Sequence, residues 1–263
     1  MILDKTAVIL KKDALTALRY RNGFLMSVVA PAAQLATFYY LSRAVGPQFR
    51  PEGLPYFVFL LIGTGFYSFL LTGISGILRT IQEAQQSGTL EVLMASSTRP
   101  AVLVMLSAVS AFAGAFVQLL IYVGAGWFLF VNGMRPGLLA VPLVFTFSLL
   151  NAVAIGIFAV GLQLSIHKGS AILWAIGSSS WLVSGTLFPA GALPPPLRAL
   201  SFLLPFTHSL TGMRLAIMQP SGSGIRLEIE ILALFAAILV PLSIAFLSWT
   251  LRRARILGTL SFY

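Results

Sequence analysis

An all-α polytopic membrane protein with six transmembrane helices is the architecture this sequence predicts, and three observations predict it. Hydrophobic residues make up 58% of the 263 positions and charged residues 9%, with a mean hydropathy of +0.93, which leaves too little polar surface to cover a soluble globule of that size. Uncharged stretches recur at the length a helix needs to cross a hydrocarbon core of about 30 Å. The basic residues sit at the ends of those stretches, where membrane orientation explains them, and do not interleave with aromatic residues as a nucleic-acid surface requires. The formal charge of +10 therefore implies no nucleic-acid partner. Cysteine is absent and His167 and His208 are the only histidines, so neither a disulfide framework nor a metal site is expected.

Residues 1–21 place Leu3, Ala7, Leu10, Ala14 and Leu18 at helical spacing, with Asp4, Lys5, Lys11, Lys12 and Arg19 on the other sides. That is the pattern of an amphipathic helix in the membrane interface, and a solvated N-terminal helix shares it. No small-residue cleavage site follows a short apolar core, so a retained first span is expected rather than a cleaved signal peptide. The first uncharged run, residues 23–42, is span one and ends in Tyr39 and Tyr40. Gly46, Pro47 and Pro51 mark a loop before span two at residues 54–78.

Residues 101–132 exceed one upright span but fall short of two plus a turn, and predict one long or tilted helix, span three. Arg135 and Pro136 mark a turn, residues 138–166 are span four, His167 and Lys168 form a polar turn, and residues 171–188 are span five. In residues 189–226, prolines at 189, 194, 195, 196, 205 and 220 divide apolar pieces too short to cross, the signature of re-entrant or interfacial helices. Span six covers residues 229–251 and is stopped by Arg252, Arg253 and Arg255; Glu228 and Glu230 favour its N-terminus and suggest no transport chemistry.

Between spans two and three, residues 79–100 read RTIQEAQQSGTLEVLMASSTRP, the one long polar interruption of a chain otherwise written for lipid. Residues 81–86 are good helix formers, Gly88 can end that helix and Thr89 can cap a second one. A bent pair of short helices is expected, placed where an element outside the membrane can grip the protein. Six crossings put both termini on one side. Counting Lys and Arg in alternate loops places eleven on the side of the termini, residues 79–100 and Lys168, against six on the side of Arg43, Arg50, Arg135 and residues 189–226, so the former side is expected in the cytoplasm and the latter outside.

Three stretches resemble the membrane subunits of type-2 ATP-binding-cassette (ABC) exporters. Glu83 followed by GTLEVL at residues 88–93 is similar to that family's pattern before span three; GTLFP at 185–189 with LPPPL at 193–197, and LPFTH at 204–208, are similar to its segment between spans five and six. After the first of these the chain reads Ser96, Ser97, Thr98, Arg99 and Pro100, where many members place Ser-Pro-Leu. The resemblance implies a single permease domain with a cytoplasmic coupling helix at 79–100 and external re-entrant helices at 189–226. It also implies a homodimer in the lipid bilayer, served by two copies of a cytoplasmic ABC ATPase.

The chain has no G-x-x-x-x-G-K-[ST] sequence and no catalytic residue is expected on it, so ATP and Mg are expected on the partner. The resemblance assigns ATPase coupling to Glu83, Gly88, Thr89, Leu90, Glu91 and Leu93, and an external re-entrant motif to Gly185, Phe188, Pro189, Leu193, Pro194 and Pro205. No acidic or basic residue lies mid-span, which argues against an ion or proton relay and suits an amphipathic cargo such as a drug, lipid or lipid-linked glycan. Gln34, Phe38, Phe66, Tyr67, Ser180 and Ser184 are the expected cargo path, although interhelical packing accounts for such residues as well. A scaffold that grips its partner through the same loop without moving cargo is the alternative from a different class.

Overall fold

The computed structural model describes residues 21–88, 100–130, 136–166, 169–218 and 222–257. The expected interface helix at residues 1–20 and the expected second half of the coupling segment, including Thr89, Leu90, Glu91 and Leu93, lie outside the described residues.

Eight α-helices form within them: α1 (Arg21–Val45), α2 (Tyr56–Gln86), α3 (Pro100–Phe130), α4 (Ala140–Ile166), α5 (Gly169–Val183), α6 (Pro195–Phe202), α7 (Pro205–Met218) and α8 (Ser223–Leu257). Segments of α2, α3, α4 and α8 are long and apolar enough to cross a membrane by length and composition, and α5 contributes a shorter apolar stretch. Hydrocarbon offers no hydrogen-bond partner to a bare peptide group, so such sequences satisfy their backbones internally as helices.

The centre is α2. As far as Leu78 it is apolar around its circumference apart from one stripe of hydroxyls, and Phe59, Leu60, Phe66, Phe69, Ile74 and Ile77 are almost completely buried. The long helices stand in the order α3, α2, α4, α8, each packed on the next; α1, α5 and α7 also contact α2. Close approach of α2 to α3 depends on small residues. A Cβ on Gly73 would meet the Phe112 ring, and one on Gly76 would lie 2.6 Å from the Ala111 Cβ. Phe69 joins three helices, with ring centroids 5.5 Å from Phe112 of α3 and 5.3 Å from Phe145 of α4.

Three helices differ at their ends from the sequence expectation. α8 runs Ser223–Leu257 rather than 229–251, because Arg252, Arg253 and Arg255, expected to stop it, are good helix formers and the helix continues through them. The polar residues 81–86 do not form a separate short helix but continue α2 without a break, because Arg79 and residues 82–86 are strong helix formers and no Gly or Pro interrupts the turn. The third, α5, stops at Val183, ahead of Phe188 where the apolar run ends. Gly185 adopts φ +85 and Pro189 bars helix in the residue before it, so residues 184–188 leave the helix as a turn. α6 then presents Leu197, Leu200 and Phe202 outward, while α7 runs into the interior with most of its residues buried. The Gly137 N–H donates to the Ala216 carbonyl at 2.9 Å and ties the start of α4 to α7.

Candidate functional site

At the C-terminal end of α2, Arg79 pairs with Glu83 one turn on, at 2.7 Å, with both side chains exposed. The Ser87 N–H donates to the Glu83 carbonyl, and Gly88, at φ +66, ends the helix. Beneath that exposed pair lies a set of amides. The Gln82 Nε2 donates to the Gln163 Oε1 at 3.2 Å, and the Gln163 Nε2 donates to the Gln85 Oε1 at 3.3 Å. Gln85 and Gln163 are 1% and 2% exposed, so these bonds join α2 to α4 where water does not compete.

From this end a groove of about 660 Å³ runs between α2 and α5. Its α2 wall carries Ser68, Thr72, Ser75, Arg79 and Gln82, spaced four, three, four and three residues apart, which is one face of a helix. From Tyr67 to Gln82 the wall extends about 22 Å, most of a hydrocarbon core. Opposite stand Trp174, Gly177, Ser178 and Trp181 of α5, with Gln118 of α3 at the side. The Tyr67 hydroxyl donates to the Gly177 carbonyl at 2.5 Å and fixes the two walls together. Trp174 is 77% exposed, so the groove opens laterally. Hydroxyls and amides under indole rings can meet a molecule that has both polar groups and apolar or ring faces.

Of the six residues expected on a cargo path, Tyr67 borders this groove. Ser180 of α5 and Ser184 of the turn after it are 2% and 1% exposed, packed inside the protein. Gln34 accepts a hydrogen bond from the Tyr122 hydroxyl, and Phe38 is packed in the core. Phe66 borders a separate apolar cavity of about 400 Å³ between α2, α3, α4 and α7, together with Phe145 and Met213. The polar stripe of α2 escapes a search for unusual intramembrane residues because serine and threonine are common in such helices; its four-three spacing is the signal that reveals it.

The opposite end of α2 meets the turn after α5, and there the structure assembles charged groups that sequence reasoning kept apart. Arg214 of α7 is 2% exposed. Its Nη2 donates to the Gly185 carbonyl at 2.8 Å and the Phe59 carbonyl at 3.3 Å, and its guanidinium lies 3.5 Å over the Phe59 ring centroid. Glu52 approaches Nη1 at 3.9 Å. Glu52 has φ +56, the only non-glycine residue in that region among those described, and the strained turn directs its carboxylate inward. Burial lowers the Arg214 pKa to about 10 against the opposing pull of Glu52, so it stays charged at neutral pH. Burial pushes the Glu52 carboxyl up from its ordinary value, Arg214 pulls it down and Glu228 adds to the rise. Gly63 is required beside this group, since any Cβ there would collide with the Arg214 guanidinium.

Nearby, His208 Nδ1 lies 2.8 Å from the Glu228 Oε2 and its Nε2 2.9 Å from the Phe202 carbonyl. Both neighbours are acceptors, which favours the doubly protonated ring. Burial lowers the His208 pKa, but the Glu228 and Phe202 hydrogen bonds and the Glu228 charge outweigh it and the net shift is upward. Glu228 is thus the partner that joins α8 to α7, beyond the helix-terminal role expected for it. In the re-entrant motif, Leu193 is buried, Phe188 and Pro189 are partly covered and Pro194 is exposed, while Pro205 opens α7 as a buried residue.

The family model described as ABC-2 type transporter matches residues 5–218. Nodulation protein J from Sinorhizobium fredii (strain NBRC 101917 / NGR234) is similar over 65 residues at 38% identity, a stretch that covers 25% of this chain and 25% of that protein.

Proposed function

This chain belongs to the ABC-2 type transporter family, and from that premise we propose that it is the six-span permease subunit of an ATP-driven exporter for an amphipathic cargo. Two copies face each other across the α2/α5 grooves, and two cytoplasmic ATPase subunits that bind ATP and Mg drive them. Both termini and residues 79–100 lie in the cytoplasm. The observation that carries this reading is the hydroxyl-lined, indole-roofed groove, which runs from the polar end of α2 across most of a bilayer's apolar thickness. Its lining residues include no acid, and its one base, Arg79, is paired with Glu83 at its end, which suits a neutral headgroup on a lipid, drug or lipid-linked glycan.

Because α2 is continuous into Gln86, a push on the coupling segment reaches the groove wall directly, and the Gln82, Gln163 and Gln85 amides carry it to α4. Reconstitution with the partner ATPase tests the proposal, with vanadate-sensitive ATP hydrolysis measured against a panel of drugs, lipids and glycolipids. Stimulation by one class is expected, and Trp174→Ala is expected to remove the stimulation while basal hydrolysis persists. Stable association of the two proteins with no cargo-dependent turnover sinks the exporter in favour of a scaffold. Glu91→Arg is expected to leave insertion intact and to uncouple hydrolysis from export; unchanged export refutes that role for Glu91.

A further inference from the structure

The loop after α1 forms a pocket of about 380 Å³ that none of the transport chemistry uses. Its walls are Tyr39, Ser42, Arg43, Phe49, Arg50 and Tyr56. Gly46, at φ +93, reverses the chain so that Phe49 and Arg50 fold back beside the end of α1, with the Phe49 N–H bonded to the Gly46 carbonyl at 3.4 Å. Ring contacts stiffen the walls: Phe49 meets Tyr56 edge-on at 4.9 Å, and Tyr39 meets the buried Phe57 at 6.2 Å. The Tyr56 hydroxyl donates to the Leu187 carbonyl at 3.1 Å and anchors the pocket to the turn after α5.

The charge is one-sided. Two guanidiniums border the pocket, Arg43 lying 5.3 Å over the Tyr39 ring, and no carboxylate is among the lining residues. The acid of this loop, Glu52, is turned inward to Arg214 by its left-handed backbone and leaves Arg43 and Arg50 without a counter-ion among the described residues. Two planar guanidiniums lining one walled pocket match the chemistry of a phosphate's oxygens, and the volume lies in the range of small-ligand sites. The level is that of lipid headgroups: Tyr39 and the 70%-exposed Tyr40 end an uncharged run of membrane-spanning length, as interfacial aromatics do.

We propose that Arg43 and Arg50 bind the phosphate of an anionic phospholipid headgroup, with the acyl chains lying along the exposed side of α1. The test is lipid binding by native mass spectrometry of the purified full chain, titrated with phosphatidylglycerol, phosphatidylcholine or inorganic phosphate. Phosphatidylglycerol is expected to bind selectively, and Arg43→Gln with Arg50→Gln is expected to weaken it about thirtyfold, the loss that two interfacial cations produce. Arg252→Gln with Arg253→Gln, at the far end of α8, is expected to leave binding unchanged. Should the double variant fail to fold, Arg43→Lys and Arg50→Lys keep the charge without the fork and are expected to lose affinity severalfold. Equal binding by wild type and the Arg43 and Arg50 variants overturns the proposal, as does equal affinity for phosphatidylcholine. Full competition by inorganic phosphate at matched concentration assigns the pocket to free phosphate and overturns the lipid.

Discussion

Replacing Arg214 with alanine tests whether a buried cation holds the re-entrant segment to α2. The change leaves the Gly185 carbonyl without its donor, about 1–3 kcal/mol for a buried acceptor, and removes the stack on Phe59, about 1–2 kcal/mol when desolvated. It also empties the space filled by the side chain, which adds about 2 kcal/mol. The Glu52 contact is 3.9 Å long and its carboxylate is 34% exposed, so its share is small, at most about 1 kcal/mol. The Phe59 bond, at 3.3 Å, is shared with an acceptor already inside α2 and adds little. The total is about 4–7 kcal/mol. At about 2–4 °C per kcal/mol for a chain of this size, the thermal midpoint in detergent is expected to fall by about 8–28 °C. Arg214→Lys keeps the charge and one donor but loses the fork and the planar stack, and is expected to lose about half as much. A drop below about 3 °C for the alanine variant, or equal drops for lysine and alanine, refutes the idea that the guanidinium's shape and bonds hold the segment.

Because the folded-state pKa of His208 is raised, its contribution is fully present below the ordinary value of about 6.5 and is lost as pH rises through the raised one. Thermal scans across that range are expected to show stability declining with pH, and Glu228→Gln is expected to flatten the decline; a slope unchanged by Glu228→Gln refutes the pairing. Gln163→Leu strands the amides of Gln82 and Gln85, and a stability loss of about 1–2 kcal/mol is expected with ATP hydrolysis retained and export reduced, measured in the reconstituted complex. Gly73→Ala forces a Cβ into the Phe112 ring and is expected to cost about 1–3 kcal/mol. Gly114→Ala meets open space and is expected to be neutral or to stabilise by up to about 1 kcal/mol, so equal effects at the two glycines contradict the α2/α3 seam.

Much of the helical framework was legible because lipid imposes a simple rule. An uncharged run of sufficient length must be helical, and prolines and glycines mark where it cannot continue. The run before Arg79, the end of α2 ahead of Gly88 and the proline-divided pieces after Pro189 all follow from composition and local conformation. Local reasoning failed where two local signals disagreed. Apolarity carried the expected span five to Phe188, but the left-handed Gly185 and the following Pro189 end the helix at Val183. At the end of span two the change from apolar to polar suggested a boundary, whereas helix propensity does not register that change and α2 runs on.

The candidate site was legible only in part, because its members come from distant positions. The spacing of Ser68, Thr72, Ser75, Arg79 and Gln82 is present in the sequence and identifies a polar face, but not the Trp174 and Trp181 that roof it. Gln163 stood out as a polar residue in a span, yet nothing local pairs it with Gln82, 81 residues away. Arg214 contacts the Phe59 carbonyl across 155 positions.

What the sequence by itself determined is therefore the class of protein, the extent of most helices, and the polar stretch that interrupts them, since each depends on a residue and its near neighbours in an apolar solvent. What only the tertiary structure decided is which faces meet. A charge or amide can be buried only where its partners converge, and the partners of Arg214, His208 and Gln163 are brought to them by packing of α2, α4, α7 and α8 rather than by any pattern along the chain.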